Sequence, residues 1–152
     1  MKKKRVILIG RSTAGKTTLC QYINHEELKY YKTQTVQLIN DQMIDTPGEY
    51  LERGFMRGAL SVTAADADLL MFVQDATENG TMFPPGYASM FCKPCIGVVT
   101  KEDLATEEQV QNAKKFLDMA GAKKLFVTSS VKGTGFEELI PLLEKPAEEK
   151  IL

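Results

Sequence analysis

The feature that most constrains this 152-residue chain is a glycine-rich segment near its start. Residues 10–18 read Gly-Arg-Ser-Thr-Ala-Gly-Lys-Thr-Thr and match the pattern Gly-x4-Gly-Lys-Ser/Thr. An apolar run at 6–9 precedes the pattern and predicts a buried strand, and residues 18–23 are compatible with a helix. A strand, a loop and a helix in this order predict a phosphate-binding loop. The alternative interpretation is a glycine turn beside a solvated lysine.

Each position of this loop has an expected role in nucleotide binding. Gly10 and Gly15 let the backbone curl so that its N–H groups surround phosphate oxygens. Lys16 is predicted to face solvent and to neutralise charge at the β- and γ-phosphates, a catalytic role, and the Thr17 hydroxyl is predicted to ligate Mg²⁺. The other positions predicted to contact the nucleotide are Ser12, Thr13, Ala14 and Thr18.

A second segment, residues 45–50, reads Asp-Thr-Pro-Gly-Glu-Tyr and follows a short apolar strand. An aspartate in this place typically holds Mg²⁺ through water, so Asp45 is a predicted metal ligand. Gly48 is predicted to present its N–H to a γ-phosphate, which would make the segment responsive to hydrolysis. By itself the string is also an ordinary turn, and the phosphate loop upstream favours the nucleotide interpretation.

A third segment, residues 100–103, reads Thr-Lys-Glu-Asp after a buried-strand run. It resembles the Asn/Thr-Lys-x-Asp pattern of GTPases, with Thr100 at its first position. The Asp103 carboxylate can accept hydrogen bonds from the guanine N1–H and 2-amino groups, a pairing that adenine cannot offer. The Lys101 stem is expected to lie over the base.

A fourth, weaker segment supports the same interpretation. Residues 128–133 resemble the Ser-Ala-x-x-Gly loop whose N–H groups touch the guanine oxygen, which makes Ser129 and Ser130 candidate contacts. Together the four segments predict GTP or GDP as ligand with Mg²⁺, and ATP is the alternative.

Apolar runs alternate with amphipathic stretches, which predicts one α/β domain over 1–152 with the three-layer architecture of a P-loop NTPase. We expect a mostly parallel six-stranded sheet with one antiparallel edge strand, formed by a hairpin around residues 40–41, and helices on both faces. The predicted strands lie near 5–9, 36–39, 42–45, 69–74, 95–100 and 124–128. One predicted helix follows the phosphate loop. The other predicted helices cover about 51–63, about 106–120 and the segment from 134 onward.

Local signals place the ends of two helices. Thr106 and Gln109 form a predicted capping box, and Thr134 and Glu137 form a second one. Pro141 should kink or shorten the C-terminal helix. Residues 77–91 predict a loop that contains a short helix.

Composition narrows the possible partners. Hydrophobic content of 43%, charged content of 26% and a net charge of −1 are typical of a globular protein with no basic surface for nucleic acid. The cluster 2–5, Lys-Lys-Lys-Arg, predicts a solvated start to the first strand, with a docking tag as the alternative. No apolar run is long enough for a membrane span, so we expect a cytoplasmic protein with no membrane partner.

The three cysteines predict reduced thiols rather than disulfides. Cys92 and Cys95 have the spacing of a redox pair, but packing as small apolar side chains is the preferred interpretation over redox or zinc chemistry. His25 is expected to be a surface or capping residue.

The motif order and two particular strings, Tyr-Lys-Thr-Gln at 31–34 and Asp-Thr-Pro-Gly-Glu-Tyr at 45–50, resemble the EutP/PduV family of ethanolamine and propanediol utilisation. The similarity extends through 73–76, 83–85 and 120–122. The resemblance implies a Ras-like fold and an association with the shell or operon enzymes of a bacterial microcompartment. Members resemble GTPases, and ATP-dependent acetate kinase is the rival activity.

The Ras-like pattern also suggests residues for catalysis. Thr33 is the candidate switch threonine, a ligand of Mg²⁺ and the γ-phosphate, and Thr35 is its competitor. Glu49 stands where many such GTPases carry a water-orienting glutamine. Its carboxylate could act as a base, could repel the γ-phosphate, or could pair with Arg53 or Arg57. Three functions stay open: a GTPase switch, an acetate kinase, and a nucleotide-binding scaffold with negligible turnover.

Overall fold

The sheet at the centre of the molecule follows from the apolar runs of the sequence. A computed structural model describes residues 4–23, 37–39, 42–53 and 57–144. In this part of the chain the sheet has six strands in the order β2-β3-β1-β4-β5-β6. The strands are β1 Val6–Ile9, β2 Gln37–Ile39, β3 Met43–Asp45, β4 Leu69–Asp75, β5 Cys95–Thr100 and β6 Lys124–Val127.

Strand direction agrees with the expected architecture. β1, β3, β4, β5 and β6 run parallel, and β2 pairs antiparallel with β3 at the sheet edge. The turn predicted at 40–41 lies outside the described residues. The prediction of an α/β fold with a parallel sheet flanked by helices is confirmed.

Helices cover both faces of the sheet because its central strands are apolar on both sides. In β1, Ile7 and Ile9 point to one face, and Val6 and Leu8 point to the other. The first face packs against α2 Glu49–Glu52, α3 Arg57–Ala64 and α4 Glu107–Ala120. The second face packs against α1 Lys16–Ile23 and α5 Leu139–Glu144.

Three of the helix predictions have different outcomes. Thr106 and Gln109 form the predicted capping box of α4, which is confirmed. The helix predicted at 51–63 is divided into α2 and α3, and residues 54–56 lie outside the described part. The short helix predicted within 77–91 is a 3₁₀ helix at Tyr87–Phe91.

The predicted start of the C-terminal helix at Thr134 is wrong. Thr134 forms an isolated bridge with Ser129, and each main-chain N–H of the pair donates to the carbonyl of the other residue. Gly135 follows with a φ of 87°, in a place where a Cβ would overlap the Val127 carbonyl oxygen. The helix therefore begins only at Leu139, with Pro141 in its first turn, where a missing N–H costs little.

Two surface predictions are also corrected. Lys4 is not solvated: it is 1% exposed and its Nζ donates to the Leu142 carbonyl, so part of the basic cluster ties the start of β1 to α5. Cys95 is buried as predicted, whereas Cys92 is exposed. Residues 2 and 3 and His25 lie outside the described residues.

Candidate functional site

The carboxyl ends of the five parallel strands meet at one edge of the sheet. The loops that follow β1, β3, β4, β5 and β6 are therefore neighbours, and all four sequence motifs lie in them. This edge is the usual position of ligands in open α/β sheets.

The phosphate loop is the segment 10–15 between β1 and α1. Gly10 packs closely on β4, because a Cβ there would lie 2.6 Å from the Val73 carbonyl oxygen. Gly15 has a φ of 90°, which favours glycine, and its carbonyl accepts the Leu19 N–H as α1 begins. The sequence therefore places glycine at the two positions where this loop needs it.

Lys16 closes the loop instead of facing solvent. It is 4% exposed, and its Nζ donates to the carbonyl oxygens of Gly10 at 2.7 Å and Arg11 at 2.9 Å. Burial lowers the pKa of Lys16 to about 8, against the opposing effect of the Asp45 and Glu52 carboxylates. The expectation of a solvent-facing lysine is wrong, because the curled backbone folds over the ammonium group.

The candidate metal ligands on α1 and β3 are in contact. The Thr17 hydroxyl donates to Oδ2 of Asp45 at 2.7 Å, and Asp45 is fully buried. Thr46 anchors the same strand end by donating to the Leu8 carbonyl at 2.6 Å. Hydroxyl and carboxylate oxygens are ligands that Mg²⁺ takes in proteins, so the donor set of Thr17 and Asp45 fits this ion. Thr33, the third predicted ligand, lies outside the described residues.

The segment after β3 lies directly on the phosphate loop. A Cβ at Gly48 would overlap the main-chain nitrogen and Cα of Ser12, so only glycine allows this approach. The main chain of Glu49 begins α2, and its side chain is outside the described part. The structure thus places Gly48 against the phosphate loop, and the prediction that its N–H meets a γ-phosphate stays a prediction.

Glu52, which sequence reasoning missed, reaches the phosphate loop from α2. Its Oε2 accepts the Ser12 main-chain N–H at 2.7 Å. Partial burial is the largest single effect and favours the neutral carboxyl, but Ser12 and the positive charges of Arg11 and Lys16 together outweigh it and lower the pKa of Glu52 below its ordinary value. No local pattern could identify this residue, because the contact depends on where α2 packs.

The second loop contact that sequence reasoning missed comes from the segment after β4. The Arg11 guanidinium pairs with the Glu78 carboxylate at 2.8 Å, and the Thr13 hydroxyl lies 3.4 Å from the other Glu78 oxygen. The outer side of the phosphate loop is thereby attached to the loop that follows β4.

Lys101 links three loops of the site. Its Nζ donates to the Thr13 carbonyl at 2.7 Å and to Oδ2 of Asp75 at 2.8 Å. Asp75 is in turn held by the N–H and hydroxyl of Thr77. Thr100 adds a further link, because its hydroxyl donates to the Ala14 carbonyl at 2.6 Å. These bonds join the phosphate loop to the Thr-Lys-Glu-Asp segment.

Asp103 and Ser129 meet across the ends of β5 and β6. The Ser129 hydroxyl donates to Oδ1 of Asp103 at 2.7 Å and accepts the Lys132 N–H at 3.1 Å. A pocket of about 170 Å³ opens beside them. It is lined by Thr13, Gly15, Thr18, Thr100, Lys101, Asp103, Leu104, Ser130 and Val131.

Apolar side chains frame this pocket. Leu104 is 69% exposed and Val131 is 76% exposed, although both are aliphatic. A flat aromatic ligand would cover part of their surface, which is favourable by the hydrophobic effect. Sequence reasoning missed these two residues, although their position directly after Asp103 and Ser130 could have identified them.

The geometry agrees with the family comparison. A family model described as ethanolamine utilisation and propanediol utilisation, PduV-EutP, matches residues 3–145. The chain belongs to the PduV-EutP family. It is 41% identical over 140 residues to the propanediol utilization protein PduV of Citrobacter freundii, covering 92% of this chain and 93% of that protein. It is 29% identical over 141 residues to the Escherichia coli K12 protein named "Probable acetate kinase EutP", covering 92% and 89%.

Two solved structures share this fold. The FeoB G-domain of Methanococcus jannaschii matches with a TM-score of 0.67 at 21% identity, covering 98% of this chain and all of that one. The elongation factor SelB of Methanococcus maripaludis, in complex with the GTP analogue GppNHp, matches with a TM-score of 0.69 at 21% identity. That match covers 94% of this chain and 33% of the elongation factor. These likenesses confirm the Ras-like fold.

Membrane-spanning helices and clusters of three or more metal-binding side chains are both absent from the part of the chain that the structure describes. Within this part, no helix has the length and apolar character needed to cross a membrane. The same residues contain no cluster of three or more histidine, cysteine or acidic side chains arranged to hold a metal. A magnesium site built from Thr17 and Asp45 would instead combine one hydroxyl with one carboxylate.

Proposed function

We propose that this chain is a Mg²⁺-dependent guanine-nucleotide-binding protein that acts as a GTPase-like switch in ethanolamine or propanediol utilisation. The observation that carries the proposal is the Asp103–Ser129 hydrogen bond at the wall of a pocket that adjoins the phosphate loop. A carboxylate held in this way can accept two hydrogen bonds from guanine, whereas adenine offers an acceptor in place of the N1–H donor.

The phosphate end of the same site supports binding of a di- or triphosphate. Main-chain N–H groups of the loop 10–15 and the positive end of α1 favour an anion. Lys16 supplies a positive charge that would stabilise the charge that develops between the β- and γ-phosphates. Binding would require Lys16 to exchange at least one of its two carbonyl partners for phosphate oxygens.

Mg²⁺ is the proposed cofactor, with Thr17, Asp45 and Thr33 as its protein ligands. When bound, the ion would neutralise charge on the phosphate oxygens. β3 holds Asp45 at the position where it would ligate the ion. The hydrogen bond that Asp45 accepts from the Thr17 hydroxyl keeps the two ligand oxygens together before the ion binds. The proposed catalytic residues for hydrolysis are Lys16, Thr33 and Glu49. Glu49 would either orient the attacking water as a base or slow turnover by repelling the γ-phosphate.

The proposed switch involves Gly48 and α2. Gly48 and Glu52 contact Ser12, so a γ-phosphate arriving at this end of the loop would change both contacts. The proposed partners are the shell or the operon enzymes of a bacterial microcompartment, and the proposed location is the cytoplasm. The ground for the partner proposal is membership in a family described as ethanolamine utilisation and propanediol utilisation.

The second candidate is an ATP-dependent acetate kinase, which the name of the 29% identical relative favours. In that reaction an acetate oxygen would attack the γ-phosphorus of ATP, forming acetyl phosphate and releasing ADP. Arg11, one residue that could hold the second substrate of such a kinase, is already paired with Glu78.

The third candidate is a nucleotide-binding scaffold with negligible turnover.

Calorimetric titration with GDP, ADP and the non-hydrolysable analogues of GTP and ATP, all in Mg²⁺, separates these candidates. The proposal expects guanine nucleotides to bind at least about tenfold more tightly than adenine nucleotides. Product analysis follows with GTP and with ATP, each with and without acetate. Release of phosphate from GTP supports the switch. Acetyl phosphate formed from ATP overturns it in favour of the kinase. Tight binding with no product and with equal affinity for GDP and the GTP analogue supports the scaffold.

A further inference from the structure

We propose that Glu52 sets the preference of this site between nucleoside diphosphates and triphosphates, because its carboxylate occupies the place that a γ-phosphate would take. The inference rests on the proposed function for the direction of the nucleotide: the loop 10–15 binds its phosphates and the pocket beside Asp103 takes its base. It concerns a residue of α2 that belongs to none of the four motifs.

The first step is the contact itself. Oε2 of Glu52 accepts the Ser12 main-chain N–H at 2.7 Å, the short distance typical of a bond to a charged acceptor. The N–H groups of a phosphate loop are the donors that bind phosphate oxygens. A carboxylate of the chain itself is therefore seated on one of the donors of the candidate anion site.

The second step is the position of this contact along the loop. The base pocket is lined by Thr13, Gly15 and Thr18, and Ser12 is not part of that lining. Ser12 instead lies against Gly48, the residue expected to meet the γ-phosphate. A nucleotide whose base fills the pocket would place its α-phosphate nearest the base and its γ-phosphate farthest from it. Glu52 thus lies at the γ end, where a diphosphate does not reach.

The third step is charge. Ser12, Arg11 and Lys16 stabilise the ionised form of Glu52, so the side chain is negative at neutral pH. A γ-phosphate would meet a like charge and must displace the carboxylate from the Ser12 N–H. A diphosphate would leave this bond intact. Since a ligand shifts an equilibrium only by its differential affinity for the two states, breaking the bond lowers triphosphate affinity alone.

Two variants test the proposal. Glu52→Gln removes the charge and keeps the shape of the side chain, and Glu52→Ala removes the acceptor as well. We expect the affinity for a non-hydrolysable GTP analogue to rise about tenfold in both variants, because a hydrogen bond to a charged group no longer has to be broken. The affinity for GDP should stay within about twofold of the wild type. Calorimetric titration in Mg²⁺ at pH 7.5 measures both.

Glu78→Gln is the charge-matched control. It removes a negative charge that also lies beside the loop, but it leaves the Glu52–Ser12 contact in place. We expect its ratio of triphosphate to diphosphate affinity to equal that of the wild type. An unchanged ratio in both Glu52 variants overturns the inference, and so does an equal change in Glu78→Gln, which would show a general charge effect.

The outcomes also separate this inference from the proposed function. If the wild type prefers adenine nucleotides, the same ratio is measured with ADP and an ATP analogue, because Glu52 faces the phosphates rather than the base. A change of that ratio in the Glu52 variants would then support the inference while the guanine proposal fails. If neither nucleotide class binds to the wild type, both proposals are wrong.

Discussion

The Ser129 hydroxyl donates a 2.7 Å hydrogen bond to Oδ1 of Asp103, 26 residues earlier in the chain. The bond connects the ends of β5 and β6 and orients the carboxylate at the wall of the pocket. Because the Asp103 side chain is already ordered, ligand binding does not lose the conformational entropy of that side chain.

The base preference is predicted to depend on this pair. Asp103→Asn should lose about 10²-fold in GTP affinity and gain affinity for xanthosine triphosphate, because the amide can donate to the xanthine 2-oxo group. Ser129→Ala should weaken GTP in the same direction by a smaller factor, with no gain for the xanthine nucleotide. Competition titrations with the three nucleotides measure this, and unchanged GTP affinity in Asp103→Asn would contradict the guanine assignment.

Lys16→Ala is predicted to abolish nucleotide binding and also to destabilise the protein. The change leaves the Gly10 and Arg11 carbonyls without their buried donor, at a cost of roughly 1–3 kcal/mol in the free energy of unfolding. Chemical denaturation without nucleotide measures the cost. Lys115→Ala, on the exposed side of α4, is the control and should change stability by less than about 0.5 kcal/mol. Full stability of Lys16→Ala would argue against the closed loop.

The close approach of Gly48 to Ser12 makes a prediction for a matched pair of glycines. Gly48→Ala should cost about 1–3 kcal/mol, because its Cβ would overlap main-chain atoms of Ser12 that cannot move independently. Gly58→Ala, in the first turn of α3, meets no atom within 4 Å and should be neutral or stabilising by up to about 1 kcal/mol. Denaturant midpoints of the two variants compare them, and equal midpoints would be inconsistent with this packing.

The Thr17–Asp45 contact predicts how magnesium should act. Thr17→Ala should reduce the gain in triphosphate affinity that Mg²⁺ gives by about tenfold, with a smaller effect when EDTA removes the ion. Thr17→Ser keeps the hydroxyl and should behave as the wild type. Titrations with and without Mg²⁺ distinguish the two variants. A loss of the same size with and without the ion would mean that Thr17 acts on the phosphates alone.

The three thiols are predicted to react at different rates. Burial raises the pKa of Cys95 to about 12, so it carries almost no thiolate at neutral pH, and Cys20 is also buried. Cys92 is exposed and should react first with a disulfide reagent, one thiol per chain in the native state. All three should react in denaturant. Cys92→Ser should remove the fast phase, and persistence of that phase would mean that a buried cysteine is accessible.

Much of this architecture was readable from local pattern. Apolar runs marked each strand to within about two residues. The signal was clearest in β1, β4 and β5, because a strand buried on both faces is apolar along most of its length. The Thr106–Gln109 capping box marked the start of α4, since both of its hydrogen bonds form within one turn. The same reasoning failed at Thr134, where pairing with Ser129 across a turn takes the main-chain groups that a helix would have used.

The sequence by itself determined the order of strands and helices, because apolar periodicity is a local property. Since strands joined by crossover connections run parallel, that order also indicated which loops share the carboxyl edge of the sheet. Only the tertiary structure decided the burial of Lys16 and the contacts from Glu52 to Ser12 and from Ser129 to Asp103. The contacts of Glu52 and Ser129 join residues that are 40 and 26 positions apart in the chain. Their geometry depends on how α2 and the strand ends pack against the shared core, which no single stretch of sequence specifies.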